Sequence, residues 1–212
     1  MGVPGRTLVI GSTGPMGREV LKRAADVGAT VRAFARTPAA LDGVTDDVAQ
    51  GNVLDGDSLL AALDGVDAVI SVLGSRPGRG DKHLLEEGTR AVVEAMRRSG
   101  CRRLVCVTGM GAGSSRGHGP LWYDALVRPT ILRGVYADKE RQEKVIETSG
   151  LDWTIVRPAV LVAKPQDRPV KAAVELGRTE KMGPLTRADV AAFLLDDVAS
   201  RDHVGAVVHL YT

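Results

Sequence analysis

The chain has 212 residues, enough for one domain with a substantial core, and its 44% hydrophobic and 25% charged residues are ordinary for a soluble globular protein. Its 28 basic and 26 acidic residues leave a net charge of +2, which gives no electrostatic case for nucleic acid or an anionic membrane, and 3% aromatics provide no base-stacking platform. Cys101 and Cys106 form neither a CxxC pair nor a Cys/His cluster, so neither a disulfide framework nor a zinc site is expected, and free thiols in a reducing compartment are.

In chain order, Thr7–Ile10 reads as a short apolar strand. It starts within a few residues of Met1, so no signal peptide is expected. No apolar run approaches the roughly 18 residues of a membrane span, so a cytoplasmic protein is expected. Pro15–Val27 has Met16, Val20, Ala24 and Val27 at helical spacing, and Gly28 ends it. Thr30–Ala35 and Asp47–Gln50 read as strands, Asp57–Leu63 as a short helix, and Ala68–Leu73 as a continuous apolar strand. Leu84–Arg98 is helical up to Gly100, Leu104–Thr108 is a strand, and Asp138–Thr148 is a charged amphipathic helix closed by Gly150. Thr154–Val156 is a strand stopped by Pro158, Thr186 caps a helix over Arg187–Val198, and Ala206–Tyr211 is the last strand.

This alternation predicts an α/β fold, a mostly parallel sheet covered by helices on both faces, in a single domain over residues 1–212. The irregular stretches 74–82, 109–133 and 163–184 follow strand ends or lie between late elements. In such sheets the ligand crevice lies beyond the strands' carboxyl ends, so these stretches are the expected substrate wall. Arg79-Gly80-Asp81 is read as a chance tripeptide.

The first strand runs straight into "GSTGPMG", with Gly11, Gly14 and Gly17 on a fixed period of three. Such a turn points the free N–H groups of the next helix at whatever lies beyond, an anion site suited to a diphosphate. Gly11 permits the tight turn, Gly14 close backbone approach, and Gly17 packing of the helix on the sheet. Strand, spacing and helix together point to dinucleotide binding, against a purely structural turn. At the end of the second strand, "FARTP" places Arg36 where a site for NAD would carry a carboxylate. A guanidinium there suits a 2′-phosphate, and NADP(H) is favoured over NAD(H); the alternative is a solvated surface arginine. Arg32, in the same strand, is placed facing solvent on the opposite side.

"GSTGPMG", "FARTP", "GNVLDGDSLLAALDGVDAVISVLG" and "SGLDWTIVRPAVL" resemble the atypical short-chain dehydrogenase/reductases, in particular the biliverdin-IXβ reductase/flavin reductase branch and the NmrA-like NAD(P)H-binding proteins. The resemblance covers essentially the whole chain and is loosest between Gly109 and Arg133. It implies a Rossmann-type doubly wound fold with a nicotinamide cofactor across the strand ends. By motif match, Gly11, Thr13, Gly14, Pro15, Met16 and Gly17 would hold the diphosphate and Arg36 the 2′-phosphate. Asn52 and Val53 would flank the adenine, with Asn52 standing where the family usually has Asp. Val72, Leu73 and Gly74 would line the middle of the cofactor. Thr108 would sit near the nicotinamide, with Pro158, Ala159 and Val160 beside its carboxamide.

Full members of the superfamily use a Ser/Thr with a Tyr-x-x-x-Lys pair, in which Tyr protonates a carbonyl oxygen. Here Tyr136 and Lys139 are one residue closer, a spacing that still shares a helix face. Thr108, Lys139 and Tyr136 are the catalytic candidates. Flavins and quinones take hydride and draw their proton from solvent, so they need positioning more than an acid–base set. The expected activity is therefore an NADPH-dependent reduction of a flavin, quinone or other planar small molecule, by a monomer or homodimer. Trp122 and Tyr123 would wall that acceptor, or pack a lid on the sheet. His118 is a candidate proton donor in the same stretch, and Arg116 and Arg128 could meet an anionic substrate. His83, His118, His203 and His209 show no metal spacing, and His209 is read as structural. The alternatives are an NADP(H)-sensing regulator of NmrA type and, further off, a nucleotide-sugar epimerase or dehydratase.

Overall fold

The short apolar runs become strands of one sheet. The structure, a computed structural model, describes residues 5–74, 83–109, 133–164, 167–177 and 180–212, the side chains of 133–136 excepted. β1 (Arg6–Ile10) leads to α1 (Pro15–Val27), β2 (Val31–Ala35), a 3-10 turn (Pro38–Leu41), β3 (Val48–Gln50), α2 (Gly56–Ala62), β4 (Val66–Ser71) and α3 (Leu84–Ser99). β5 (Arg103–Val107), α4 (Arg133–Glu147), β6 (Asp152–Pro158), β7 (Lys171–Ala173), α5 (Arg187–Ser200) and β8 (Ala206–Tyr211) complete the chain.

Among the described residues the sheet has eight strands in the order β3-β2-β1-β4-β5-β6-β8-β7. Every pairing is parallel except that of β7 with β8. This is the doubly wound α/β fold expected from the sequence. Leu8, Ile10, Val69, Leu104, Cys106 and Ile155 bury one face under α2, α3 and α4. Val9, Ala33, Ile70, Val105 and Val156 bury the other under α1 and α5. Strands buried on both faces need the near-continuous apolar runs seen in the sequence. Each fully covered Leu, Val or Ile contributes about 1.5–3 kcal/mol relative to exposure.

Strand order reverses between β1 and β4, because β1 pairs β2 on one side and β4 on the other. The connections leaving the two strands diverge there, opening a crevice at their carboxyl ends. The helix starts differ in how they are capped. Asp55 caps α2 by accepting from the Asp57 N–H at 3.2 Å, and Thr186 and Asp189 form a capping box on α5. α1 begins at Gly14, which has no side chain to offer, followed by Pro15.

Several boundaries depart from the sequence expectation. β4 starts at Val66 and ends at Ser71, although the Val72 N–H still donates to Ile10 O at 2.9 Å. β6 extends through Pro158, because the last rung is completed by the Ala159 N–H on Leu210 O at 2.8 Å and needs no donor from proline. α4 begins at Arg133, well ahead of Asp138; the early residues carry no apolar period to announce the helix. β7 lies in the stretch read as irregular, and is too short and polar to show alternation. Arg32 does not face open solvent: its Nε donates to Asp47 Oδ1 at 2.9 Å and its Nη1 to the carbonyls of Ala62 and Asp64 at 3.2 and 3.0 Å.

Candidate functional site

The glycine turn closes directly on the neighbouring strand end. Gly11 has φ +83°, and a Cβ there would lie 2.7 Å from Val72 O. Gly17 is tighter still: a Cβ would stand 2.3 Å from Gly11 O and 2.5 Å from Ser12 Cα. Gly14 donates its N–H to Gly11 O at 3.0 Å. Ser12 is fully buried and its hydroxyl donates to Phe34 O at 2.8 Å, tying the turn to β2. Arg18 straps the outer side, with Nε on Thr13 O at 3.3 Å and Nη2 on Ala40 O. Thr13 and Pro15 are exposed, and Met16 is half-buried against the α1 side of the core. The first turn of α1 therefore faces the crevice with no capping side chain from Gly14, a cradle that fits a diphosphate.

Along the crevice, Arg36 is exposed just past β2, and its carbonyl accepts from Gln50 Nε2 at 3.5 Å. Asn52 is also exposed, and its Oδ1 accepts from the Leu54 N–H at 3.2 Å. Val53 lies in the core, and with Leu73 it closes on Gly88 of α3, where a Cβ would meet Leu73 Cδ2 at 3.0 Å and Val53 Cγ1 at 3.2 Å. Val72 and Leu73 are half-buried and Gly74 exposed, at the mouth between β1 and β4.

At the far end, Thr108 follows β5 and is buried, with its N–H on Val156 O at 2.9 Å. Its hydroxyl donates to Glu143 Oε1 at 2.6 Å. Arg157 of β6 grips the same carboxylate, Nε to Oε1 at 2.9 Å and Nη2 to Oε2 at 2.7 Å. Lys139, one turn before Glu143 on α4, donates its ammonium to Thr108 O. Burial pushes the Lys139 pKa down, against the opposing pull of Cys106 and Glu143. Burial likewise pushes the Cys106 thiol up to about 12 and Cys101 up to about 11, so both free cysteines are held as thiols. Pro158 and Ala159 are buried beside this cluster at the end of β6, and Val160 is 41% exposed.

Thus the structure gathers Gly11, Gly14, Gly17, Val72, Leu73, Thr108, Lys139 and Pro158 along the carboxyl edge of one sheet. Tyr136 lies in the first turns of α4, and its side chain is outside the described residues. His118, Trp122 and Tyr123 also lie outside them, as do Arg116, Arg128 and the stretches 75–82 and 110–132. Glu143 and Arg157 escaped the sequence reading. Their signals were an arginine inside the apolar strand "TIVRP", which demands a buried partner, and a glutamate four residues after Lys139 on the same helix face.

His83, Glu86 and Asp138 bring ligand atoms within 4.8 Å of one another. Asp138 is already engaged: it accepts the Leu85 and Glu86 N–H groups at 3.0 and 3.2 Å, supplying from α4 the cap that His83 does not give α3. Arg141 closes the group, 2.7 Å from Glu86 and 3.4 Å from Asp138. This trio is a helix cap with a charge-balancing arginine.

A switch-point crevice with a glycine turn on one side and a buried polar cluster on the other defines a dinucleotide-binding α/β protein. The NAD(P)H-binding family matches residues 11–201, and the chain belongs to it. It is 31% identical over 195 residues to the uncharacterized sugar epimerase YhfK of Bacillus subtilis, covering 88% of this chain and 84% of that protein. It is 34% identical over 180 residues to sterol demethylase protein B of Methylococcus capsulatus, covering 77% of this chain but only 53% of that longer protein. Among solved structures, ChuY, an anaerobillin reductase from Escherichia coli O157:H7, superposes with a TM-score of 0.79 at 23% identity, over 97% of this chain and 96% of that one. Among the described residues, no helix is long and apolar enough to cross a membrane.

Proposed function

We propose that this protein is an NADPH-dependent reductase that passes hydride to a flavin, a quinone or a similar planar acceptor. The observation that carries the reading is the Gly11–Gly17 turn, whose backbone leaves no room for a side chain at Gly17 and whose helix start is uncapped. Family membership supports NAD(P)H as the ligand. Arg36, exposed at the end of β2 with no carboxylate beside it in "FARTP", supports the phosphorylated cofactor. Gly11, Thr13, Gly14, Pro15, Met16 and Gly17 would hold the diphosphate, and Asn52 and Val53 would flank the adenine. Val72, Leu73 and Gly74 would line the middle, and Thr108, Pro158, Ala159 and Val160 the nicotinamide. When bound, the cofactor supplies a hydride to the acceptor, and solvent supplies the proton that completes the two-electron reduction.

Thr108 and Lys139 are tied into a buried network, which suits positioning better than proton delivery. That agrees with an acceptor protonated by solvent, and the reductase named among the structural neighbours points the same way. The test is NADPH oxidation by the pure protein, followed by absorbance with FMN and then a simple quinone. Saturable turnover, much slower with NADH, is expected. Tight NADPH binding without turnover on either acceptor would replace this reading with that of an NADP(H) sensor.

A further inference from the structure

We propose that Glu143 is a positioning residue that fixes the polarity of the Thr108 hydroxyl, so that Thr108 meets its ligand only as a hydrogen-bond acceptor and the ligand must present an N–H. The inference rests on the cofactor reading above and deepens it.

The argument is a proton count. A hydroxyl has one proton to give. Thr108 gives it to Glu143 Oε1 across 2.6 Å. The carboxylate in turn is gripped on both oxygens by Arg157, with Glu143 and Arg157 side chains each 6% exposed. Paired in this way, Glu143 has only lone pairs to offer its neighbours, and the short contact is that of a charge-assisted bond. The Thr108 N–H is spent on Val156 O at 2.9 Å. Its carbonyl already takes the Lys139 ammonium. What Thr108 has left is lone-pair capacity, chiefly on Oγ1, so it cannot protonate a carbonyl oxygen on the ligand. It can receive an N–H, and two candidates offer one in this crevice: the carboxamide of the nicotinamide and a ring N–H of the acceptor. The arrangement holds because the three residues come from three elements, β5's end, α4 and β6, locked by an ion pair that is costly to break once buried.

The experiment measures dissociation constants for NADPH and for its acetylpyridine analogue, in which the amide nitrogen is replaced by a methyl group, without any acceptor. KM for FMN is measured in turnover. Wild type is compared with Thr108→Val, Thr108→Ser and Glu143→Gln. If the carboxamide is the donor, Thr108→Val weakens NADPH by about tenfold and leaves the analogue unchanged, and Thr108→Ser restores the difference. Glu143→Gln loses the same selectivity, because its amide can donate to Oγ1 and turn the threonine proton outward. If the acceptor is the donor, both dissociation constants stay put and KM for FMN rises by about tenfold in Thr108→Val and Glu143→Gln. Equal losses for NADPH and the analogue in Thr108→Val would mean that Thr108 does not read the amide N–H, and would overturn the proposal even if Glu143→Gln fails to fold. A folded Glu143→Gln protein with wild-type selectivity would overturn the role of Glu143, as would folded Thr108→Val with no change in any constant. Wild-type protein that binds no NADPH would overturn the cofactor reading itself, a result distinct from all of these.

Discussion

In the proposed reading Arg36 meets the one phosphate by which the two cofactors differ; it is exposed just past β2 and has no carboxylate beside it in the sequence. Charge reversal at this position removes a charge-assisted contact and adds repulsion. We expect Arg36→Glu to weaken NADPH binding on the order of 100-fold while NADH binding changes little, read as dissociation constants by fluorescence titration. Equal losses for both would refute the 2′-phosphate assignment. The same scale holds contacts that a residue type does not encode. Asn52 was matched to the adenine by motif, and its Oδ1 accepts its own chain's Leu54 N–H. Lys139 was weighed as half of a Tyr–Lys pair or as a cofactor contact; its ammonium also lies on the Thr108 carbonyl, a contact that no spacing rule encodes.

At the scale of elements, the β1–α1 turn works because backbone meets backbone. A methyl at Gly17 would stand 2.3 Å from Gly11 O, and neither partner is a flexible side-chain end. Gly17→Ala should therefore push α1 away from the turn, lowering stability by about 1–3 kcal/mol and weakening NADPH binding in parallel. Thermal unfolding with and without NADPH checks both effects; a stable variant with unchanged binding would show that the turn has slack. α3 and α4 show a different dependence between elements. α3 has no side-chain cap from its own flank, and Asp138 reaches across from α4 to accept two of its N–H groups. The two helices thus hold each other in place. Among the described residues, β7 is the edge strand added by neither apolar pattern nor turn signal; its pairing with β8 alone makes it visible.

For the whole molecule, the two ends of the sheet do different work. The carboxyl end carries the crevice. Beneath it, Arg103 at the start of β5 pairs with Asp197 of α5 at 2.6 Å, with side chains 2% and 1% exposed. Asp197 also meets His203 Nδ1 at 2.6 Å, and Arg103 reaches Thr154 Oγ1 at 2.9 Å. This buried group joins β5, β6 and α5 at the amino end of β5, opposite the crevice. Asp197→Ala leaves Arg103 uncompensated and should cost about 3–5 kcal/mol, seen as a lower denaturant midpoint, with NADPH affinity of the remaining folded protein unchanged. A small loss would mean that water reaches the guanidinium.

By itself the sequence determined the alternation of strands and helices, the parallel sheet, the glycine turn and the missing carboxylate after β2. These are local properties: apolar period, turn chemistry and capping act within a few residues and survive being read one after another. Only the tertiary structure decided that Thr108, Glu143 and Arg157 meet, that Asp138 caps a helix more than fifty residues earlier, and that Arg103 finds Asp197. Each of those contacts joins residues distant in the chain, and a buried charge states only that it needs a partner. Which partner it finds is set by how the helices pack on the sheet.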